Sequence, residues 1–242
     1  MPDAETILQT ESARGDTAVL IRKRPKPGER RVQILQALAS MLEQPGAERI
    51  TTAALAARLD VSEAALYRHF ASKAQMFEGL IEFIEQTVFS LVNQIAEREG
   101  AAAAPTLADA PGSAADPGKG DNVGTGDKGA GVRHAGKVAA MLIQFAEKNP
   151  GMTRVMVGDA LVFENERLQQ RMNQFFDKIE STFRQSLRGG AHDNGSATPS
   201  VDAQVSASVL TAFVVGRLQR YARSGFKRLP SEHLEASLAQ ML

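Results

Sequence analysis

The sequence predicts an all-α protein, with an N-terminal three-helix helix-turn-helix domain followed by a larger helical domain. Large apolar residues recur at intervals of three and four through most of the chain, which is the period of a helix with one buried face. Residues 49–70 contain two short, cappable apolar segments separated by only a few residues. Tryptophan is absent and aromatic residues are few, so little in the composition favours strands.

Within residues 49–70 the spacing predicts two short helices joined by a tight turn. Thr51 or Thr52 can cap the first helix and Ser62 the second, because their hydroxyl oxygens accept a free backbone N–H there. The predicted buried positions are Leu55, Leu59, Leu66 and Phe70. This pattern is typical of a helix-turn-helix, whose second helix can enter a DNA major groove. A plain helical hairpin inside a core has the same spacing, and that alternative stays open.

The opposite face of the second helix carries small side chains and hydrogen-bond donors, which suit contact with base edges. The predicted groove-facing residues are Ser62, Ala64, Tyr67, Arg68 and His69. Thr51, Thr52 and Lys73 are predicted to hold phosphates, together with a basic arm. Lys73 opens a long helix, where a phosphate would be favoured. An ordinary solvated lysine is the alternative at that position.

Residues 1–28 are predicted to be a flexible arm. Its cations continue into the first helix and are Arg14, Arg22, Lys23, Arg24, Lys26, Arg30 and Arg31. A basic arm beside a recognition helix is an electrostatic footprint for the phosphate backbone. The first helix is predicted to begin near Glu29 and to end before Pro45-Gly46, and residues 29–75 form the predicted DNA-binding domain.

Residues 76–242 form the predicted second helical domain. The helix that opens at Ser72 should end near Glu99-Gly100, and residues 100–131 read as a disordered insertion. A further helix is expected from residue 132, and a short one over residues 152–157. A long helix should then extend to a flexible break at residues 189–199, and a last large helix should follow the break. A final helix is expected after Pro230. The stripe predicted for the last large helix is Val205, Val209, Phe213, Gly216 and Tyr221.

The side chains give little support to catalysis, and we predict neither enzyme activity nor a metal or other cofactor. The 28 basic and 28 acidic residues balance, the chain has no cysteine, and its four histidines show no metal-ligand spacing. Glu164 and Glu166 are expected on a solvated helix face among arginines. No apolar run approaches the roughly 18 residues of a membrane span, so no membrane association is predicted. No secretory signal is visible in residues 1–20.

The helix-turn-helix resembles the DNA-binding domain of TetR-family regulators. The resemblance extends from Ile50 to Leu80 and includes Leu-Tyr-Arg-His-Phe followed by Ser-Lys. A longer match is similar to the nucleoid occlusion factors of that family. It includes Val-Ser-Glu-Ala-Ala-Leu-Tyr-Arg-His-Phe at 61–70, Asn-Pro-Gly-Met-Thr-Arg at 149–154, and Phe163-Glu164 with Arg167-Leu168-Gln169.

The resemblance implies a homodimer formed by the last helices and bound to pseudo-palindromic chromosomal DNA. It further implies a cytoplasmic, nucleoid-associated protein that contacts the tubulin-like division protein FtsZ and blocks septum assembly over the chromosome. Phe83 and Asn149 stand where that family has its partner groove, although plain packing and helix capping are the alternatives for them. Leu91, Gln144 and Lys148 depart from the family's groove. A small-molecule-responsive TetR-type repressor is the second hypothesis.

Overall fold

The computed structural model describes residues 28–44, 50–103, 129–193 and 197–242. Within these ranges every regular element is helical, which confirms the all-α prediction. The α-helices are α1 (Glu29–Leu42), α2 (Thr52–Arg58), α3 (Glu63–Tyr67), α4 (Lys73–Ala103), α5 (Ala130–Lys148), α6 (Pro150–Met156), α7 (Glu166–Asp193), α8 (Pro199–Arg223) and α9 (Leu234–Met241). Most of the predicted arm, Pro45-Gly46 and residues 104–128 of the predicted insertion lie outside the described residues.

The first three helices form one small core, as the sequence predicts. α1 begins at Glu29 and buries one face against α2 and α4. That face consists of Ile34, Leu35, Leu38, Ala39 and Leu42. Val32, in the first turn of α1, lies outside this face and is 42% exposed. Leu55, Leu66 and Phe70 complete the core of this unit.

α4 belongs to both halves of the molecule. Its buried stripe runs from Met76 in the DNA-binding unit to Val92 in the second domain, so the predicted boundary between residues 75 and 76 falls in its first turn. The helix ends at Ala103, beyond the predicted end at Glu99-Gly100. A single helical glycine costs only about 1 kcal/mol relative to alanine, and alanines follow Gly100, so the helix continues through it.

The core of the second domain is built by α4, α5, α7 and α8, with α7 and α8 packed along their lengths. α5 begins at Ala130, two residues before the expected start. α7 continues to Asp193, so the break predicted from residue 189 was wrong at its start. A single glycine such as Gly189 costs a helix only about 1 kcal/mol and does not end it. Arg217 on α8 donates to the Pro230 carbonyl (3.3 Å) and to the Ser237 hydroxyl (2.8 Å), which holds the C-terminal segment in place.

α8 has two apolar faces. Its buried face is lined by Ala203, Ala207, Leu210, Val214, Leu218 and Tyr221. As a core stripe, the predicted stripe is therefore wrong at Val205 and Val209, which are 59% and 53% exposed, whereas Tyr221 is buried. The alanines let α8 lie close to α7, which leaves the valines on the outside. An 18-residue window of α8 has a mean hydropathy of 1.3, so by length and composition alone this helix could cross a membrane. Core helices meet the same criterion, and one face of α8 is in the core.

The two halves of the molecule meet where α6 lies on α1. α6 begins at Pro150, two residues before the expected start, because proline is well suited to the first helical position. A Cβ atom on Gly151 would lie 1.9 Å from the carbonyl oxygen of Ala39. Only a residue without a side chain allows the two helix backbones to approach this closely.

We expect Gly151→Ala to lower the free energy of unfolding by about 1–3 kcal/mol, since the added methyl must push α6 away from α1. Gly189→Ala is the matched control, because nothing lies within 4 Å of a Cβ atom at that helical position. The control should be neutral or stabilising by up to about 1 kcal/mol. Chemical denaturation of both variants measures the difference, and equal stability would contradict the proposed packing constraint.

Candidate DNA-binding site and partner-binding groove

The helix-turn-helix is positioned by two hydroxyl caps and one left-handed residue. The Thr51 Oγ1 accepts the Ala54 N–H (3.1 Å), and the Ser62 Oγ accepts the Ala65 N–H (3.3 Å). Thr51, rather than Thr52, is therefore the cap of α2. Asp60 has φ 54° in the turn, a conformation that aspartate tolerates better than most residues. These contacts confirm the pattern of two short helices and a tight turn.

The predicted recognition face is exposed on α3 and the turn that follows it. Ser62, Ala64, Arg68 and His69 are exposed, and Tyr67 is 44% exposed. On the opposite side, Leu66 and Phe70 are each 1% exposed and fix the helix to the core. The structure thus brings the five predicted groove-facing residues together on one accessible surface.

Arg31 fastens this surface to α1. Its guanidinium donates to the His69 carbonyl (3.1 Å) and lies 4.2 Å from the ring centroid of Phe70. The sequence grouped Arg31 with the phosphate-binding arm, but in the structure it sets the position of the end of α3. Arg30 donates to Gln33 (3.0 Å) on the same helix.

Thr52, Glu63 and Tyr67 form a hydrogen-bonded cluster between α2 and α3. The Thr52 hydroxyl donates to the Glu63 carboxylate (2.6 Å), and the Tyr67 hydroxyl donates to the Thr52 Oγ1 (3.4 Å). Both hydroxyl protons are therefore directed at protein atoms. This role of Glu63 was not predicted, although its position directly after the Ser62 cap placed it near Thr52.

Lys73 is paired with a carboxylate from the second domain. Its Nζ forms an ion pair with the Glu164 Oε1, and the side chains are 34% and 12% exposed, respectively. The ammonium also lies 5.7 Å from the ring centroid of Phe77. The solvated face predicted for Glu164 was therefore wrong. Glu164 precedes α7, in a segment that folds back onto the start of α4. Because Lys73 and Glu164 are far apart in the sequence, residue spacing could not predict this contact.

Phe83 and Asn149, the predicted partner-binding residues, both have structural contacts. Phe83 is half-buried on α4 and packs against the core. The Asn149 Nδ2 donates to the Phe145 carbonyl (2.7 Å), and the Asn149 carbonyl accepts the Thr153 N–H (2.9 Å). Asn149 therefore closes the end of α5 and opens α6, while its side chain stays partly accessible.

A cavity of about 510 Å³ lies at the other end of α4, between α4, α5 and α7. Its lining includes Phe89, Val92, Ala96, Glu99, His134 and Ser186. The Glu99 carboxylate lies 2.5 Å from the His134 Nδ1 and 2.8 Å from the Lys137 Nζ. Burial raises the pKa of Glu99, but hydrogen bonds from Lys137 and His134 outweigh it and leave the pKa below its ordinary value. In the described part of the chain, no three histidine, aspartate or glutamate residues are grouped as metal ligands.

Two protein-family models match the chain. Residues 34–80 match the N-terminal model described as "Bacterial regulatory proteins, tetR family". Residues 131–242 match the SlmA-like model described as "Tetracyclin repressor-like, C-terminal domain". The first match covers the helix-turn-helix and the start of α4, and the second covers α5 to α9.

Relatives over nearly the whole chain are nucleoid occlusion factors named SlmA. The protein from Aliivibrio fischeri strain MJ11 is 46% identical over 210 residues, which cover 86% of this chain and 92% of the relative. The protein from Idiomarina loihiensis is 45% identical, covering 86% and 90%, respectively. Among solved structures, the transcriptional regulator FadR from Bacillus subtilis, in complex with stearoyl-CoA, aligns with a TM-score of 0.62 at 11% identity. That alignment covers 87% of this chain and 96% of FadR.

The FadR likeness shows the fold alone, whereas the identity to the nucleoid occlusion factors extends over both domains. The chain therefore belongs to the SlmA nucleoid occlusion factors, a branch of the DNA-binding TetR family.

Proposed function

We propose that the protein binds chromosomal DNA as a homodimer and, from there, inhibits assembly of FtsZ at division sites over the nucleoid. The observation that carries this proposal is the 46% identity to a nucleoid occlusion factor over 86% of the chain. The exposed recognition face on α3 supports the DNA-binding part. The protein is accordingly expected in the cytoplasm, associated with the nucleoid.

In this proposal α3 enters the major groove, and the ends of α2 and α4 approach the phosphate backbone. Ser62, Ala64, Tyr67, Arg68 and His69 face the groove, and all five are accessible. Ala64 lets the backbone come close to the bases, while Arg68 offers the fork of donors that guanine accepts. Thr51, Thr52 and Lys73 hold phosphates.

We expect Arg68→Ala to weaken binding to the specific site about tenfold or more, since a good arginine–base contact is worth about 1–3 kcal/mol of discrimination. Tyr67→Ala should also weaken binding. The matched control is Arg188→Ala, at an exposed arginine near the C-terminal end of α7. Fluorescence anisotropy with specific and scrambled duplexes measures the effect. Unchanged affinity in both recognition-face variants would exclude this assignment.

The exposed face of α8 supports a homodimer. Val201, Val205 and Val209 are spaced by four residues and lie on one side of the helix, 53–59% exposed. A row of three large apolar residues in water is unfavourable, and packing against the same row of a second copy would bury it. Such a dimer would present two recognition helices to successive major grooves, about 34 Å apart.

We expect Val205→Asp to convert the dimer into a monomer, because each copy would bring a buried negative charge to the interface. Val162→Asp, at a valine that is 61% exposed away from α8, is the matched control and should remain a dimer. Size-exclusion chromatography with light scattering distinguishes the two states. A dimer in the Val205→Asp variant would place the interface elsewhere.

Co-sedimentation with FtsZ polymers tests the division-inhibitor proposal. More protein should pellet with FtsZ when a duplex enriched by chromatin immunoprecipitation is present than with a scrambled duplex. Phe83→Ala should reduce the pelleted fraction several-fold if the partner groove contains Phe83, whereas Phe163→Ala, at a phenylalanine that is 60% exposed, should not. The fraction of wild-type protein that pellets in the absence of FtsZ is the baseline.

Absence of co-sedimentation with either duplex would contradict the FtsZ contact. If DNA affinity then fell on addition of a small molecule, the protein would be a ligand-responsive repressor instead. Chromosomal occupancy separates the same two functions, since a nucleoid occlusion factor requires many dispersed sites and a local repressor only a few.

A further inference from the structure

The start of α4 is closed by its own side chains. The Ser72 Oγ accepts the Gln75 N–H (3.2 Å), and the Gln75 Oε1 accepts the Ala71 N–H (2.9 Å), which is a reciprocal capping arrangement. The helix end therefore does not need an anion to satisfy these two amides. The Lys73 ammonium at this helix end is paired with an anion, and that anion is the Glu164 carboxylate.

Glu164 is held in place by the backbone around it. It follows a 3₁₀ turn, Asp159–Leu161, and its N–H donates to the Leu161 carbonyl (3.0 Å). Leu161 is 1% exposed and anchors the turn in the core. Because the carboxylate is presented by an anchored segment, little additional backbone has to be ordered when it pairs with Lys73. At 12% exposure it is also screened less by salt than a surface carboxylate.

We propose that Glu164 competes with the DNA backbone for Lys73 and so lowers the affinity of the protein for DNA. Glu164 is then a positioning residue that acts on DNA through the lysine. This inference rests on the proposed contact between Lys73 and a phosphate.

The competition follows from charge. A phosphate that approaches Lys73 either displaces the carboxylate or shares the ammonium with it at short range. In the first case the ion pair is lost, and in the second the two anions repel each other. In both cases DNA binds more weakly than it would without the Glu164 carboxylate. Because DNA binding and this movement are linked, a change that moves residues 162–164 away from Lys73 should raise DNA affinity. Bound DNA should favour the same movement by the same factor.

The test is a double-mutant cycle on the full-length dimer, with a fluorescent duplex that contains the specific site. Glu164→Gln keeps the size of the side chain and removes its charge, and Lys73→Gln removes the ammonium. We expect Glu164→Gln alone to tighten DNA binding about three- to tenfold, as expected for loss of a competing, partly buried ion pair. In the Lys73→Gln background the same change should alter affinity less than twofold.

Glu166→Gln is the matched control, since Glu166 is an exposed carboxylate two residues away. It should change affinity less than twofold. Lys73→Gln alone should weaken binding to specific and scrambled DNA alike and reduce the salt dependence by about 0.9 per subunit for one lost phosphate contact. Thermal unfolding checks that each variant is folded. If Glu164→Gln does not fold, Glu164→Asp, which draws the carboxylate back by one methylene, should tighten binding by a smaller factor.

Three outcomes would overturn the proposal. Unchanged affinity in Glu164→Gln, with weakened binding in Lys73→Gln, would mean that Glu164 does not oppose a phosphate at Lys73, and the phosphate contact would stand. Tighter binding in both backgrounds would indicate a general field effect. Unchanged affinity in Lys73→Gln, with weakened binding in Arg68→Ala, would remove the phosphate contact while leaving the proposed DNA-binding function intact.

Discussion

The close approach of α6 to α1 determines how the two halves of the molecule meet. With the Gly151 backbone against the Ala39 carbonyl, the two helices have no intervening side chain that could adjust their separation. On its other side, α1 also contacts the turn after α3, where Arg31 donates to the His69 carbonyl.

Carboxylates already occupy the groups that would bind DNA phosphates. Glu63 accepts the proton of Thr52, and Glu164 pairs with Lys73. In both cases an acidic side chain takes the place that a phosphate oxygen would take, and it does so from a neighbouring element of the fold. In the proposed complex, DNA exchanges these contacts for its own, so the net gain from each is smaller than the contact itself.

The sequence was sufficient for the parts of the structure that depend on local interactions. The two caps and the tight turn follow from residues within a few positions of each other, and each was predicted. The pair of Lys73 with Glu164 was not, because nothing local identifies which of many carboxylates will fold back onto α4. The ends of α4 and α7 were also misplaced, since a single glycine costs a helix only about 1 kcal/mol and neither Gly100 nor Gly189 ends its helix. The proposed DNA and partner contacts remain predictions.

The composition of α8 explains why its buried face was misassigned. Large apolar residues usually mark the core, but here alanines such as Ala203 and Ala207 lie against α7, and Val205 and Val209 point outward. Small residues on the inner face let two long helices approach closely. The large valine side chains then lie on the outer face, where they can form a second interface. A prediction that assumes a single core cannot distinguish a face that packs inside the protein from a face that packs against a second copy. In the proposed homodimer, the row of valines on the outer face of α8 is the one that meets the second copy.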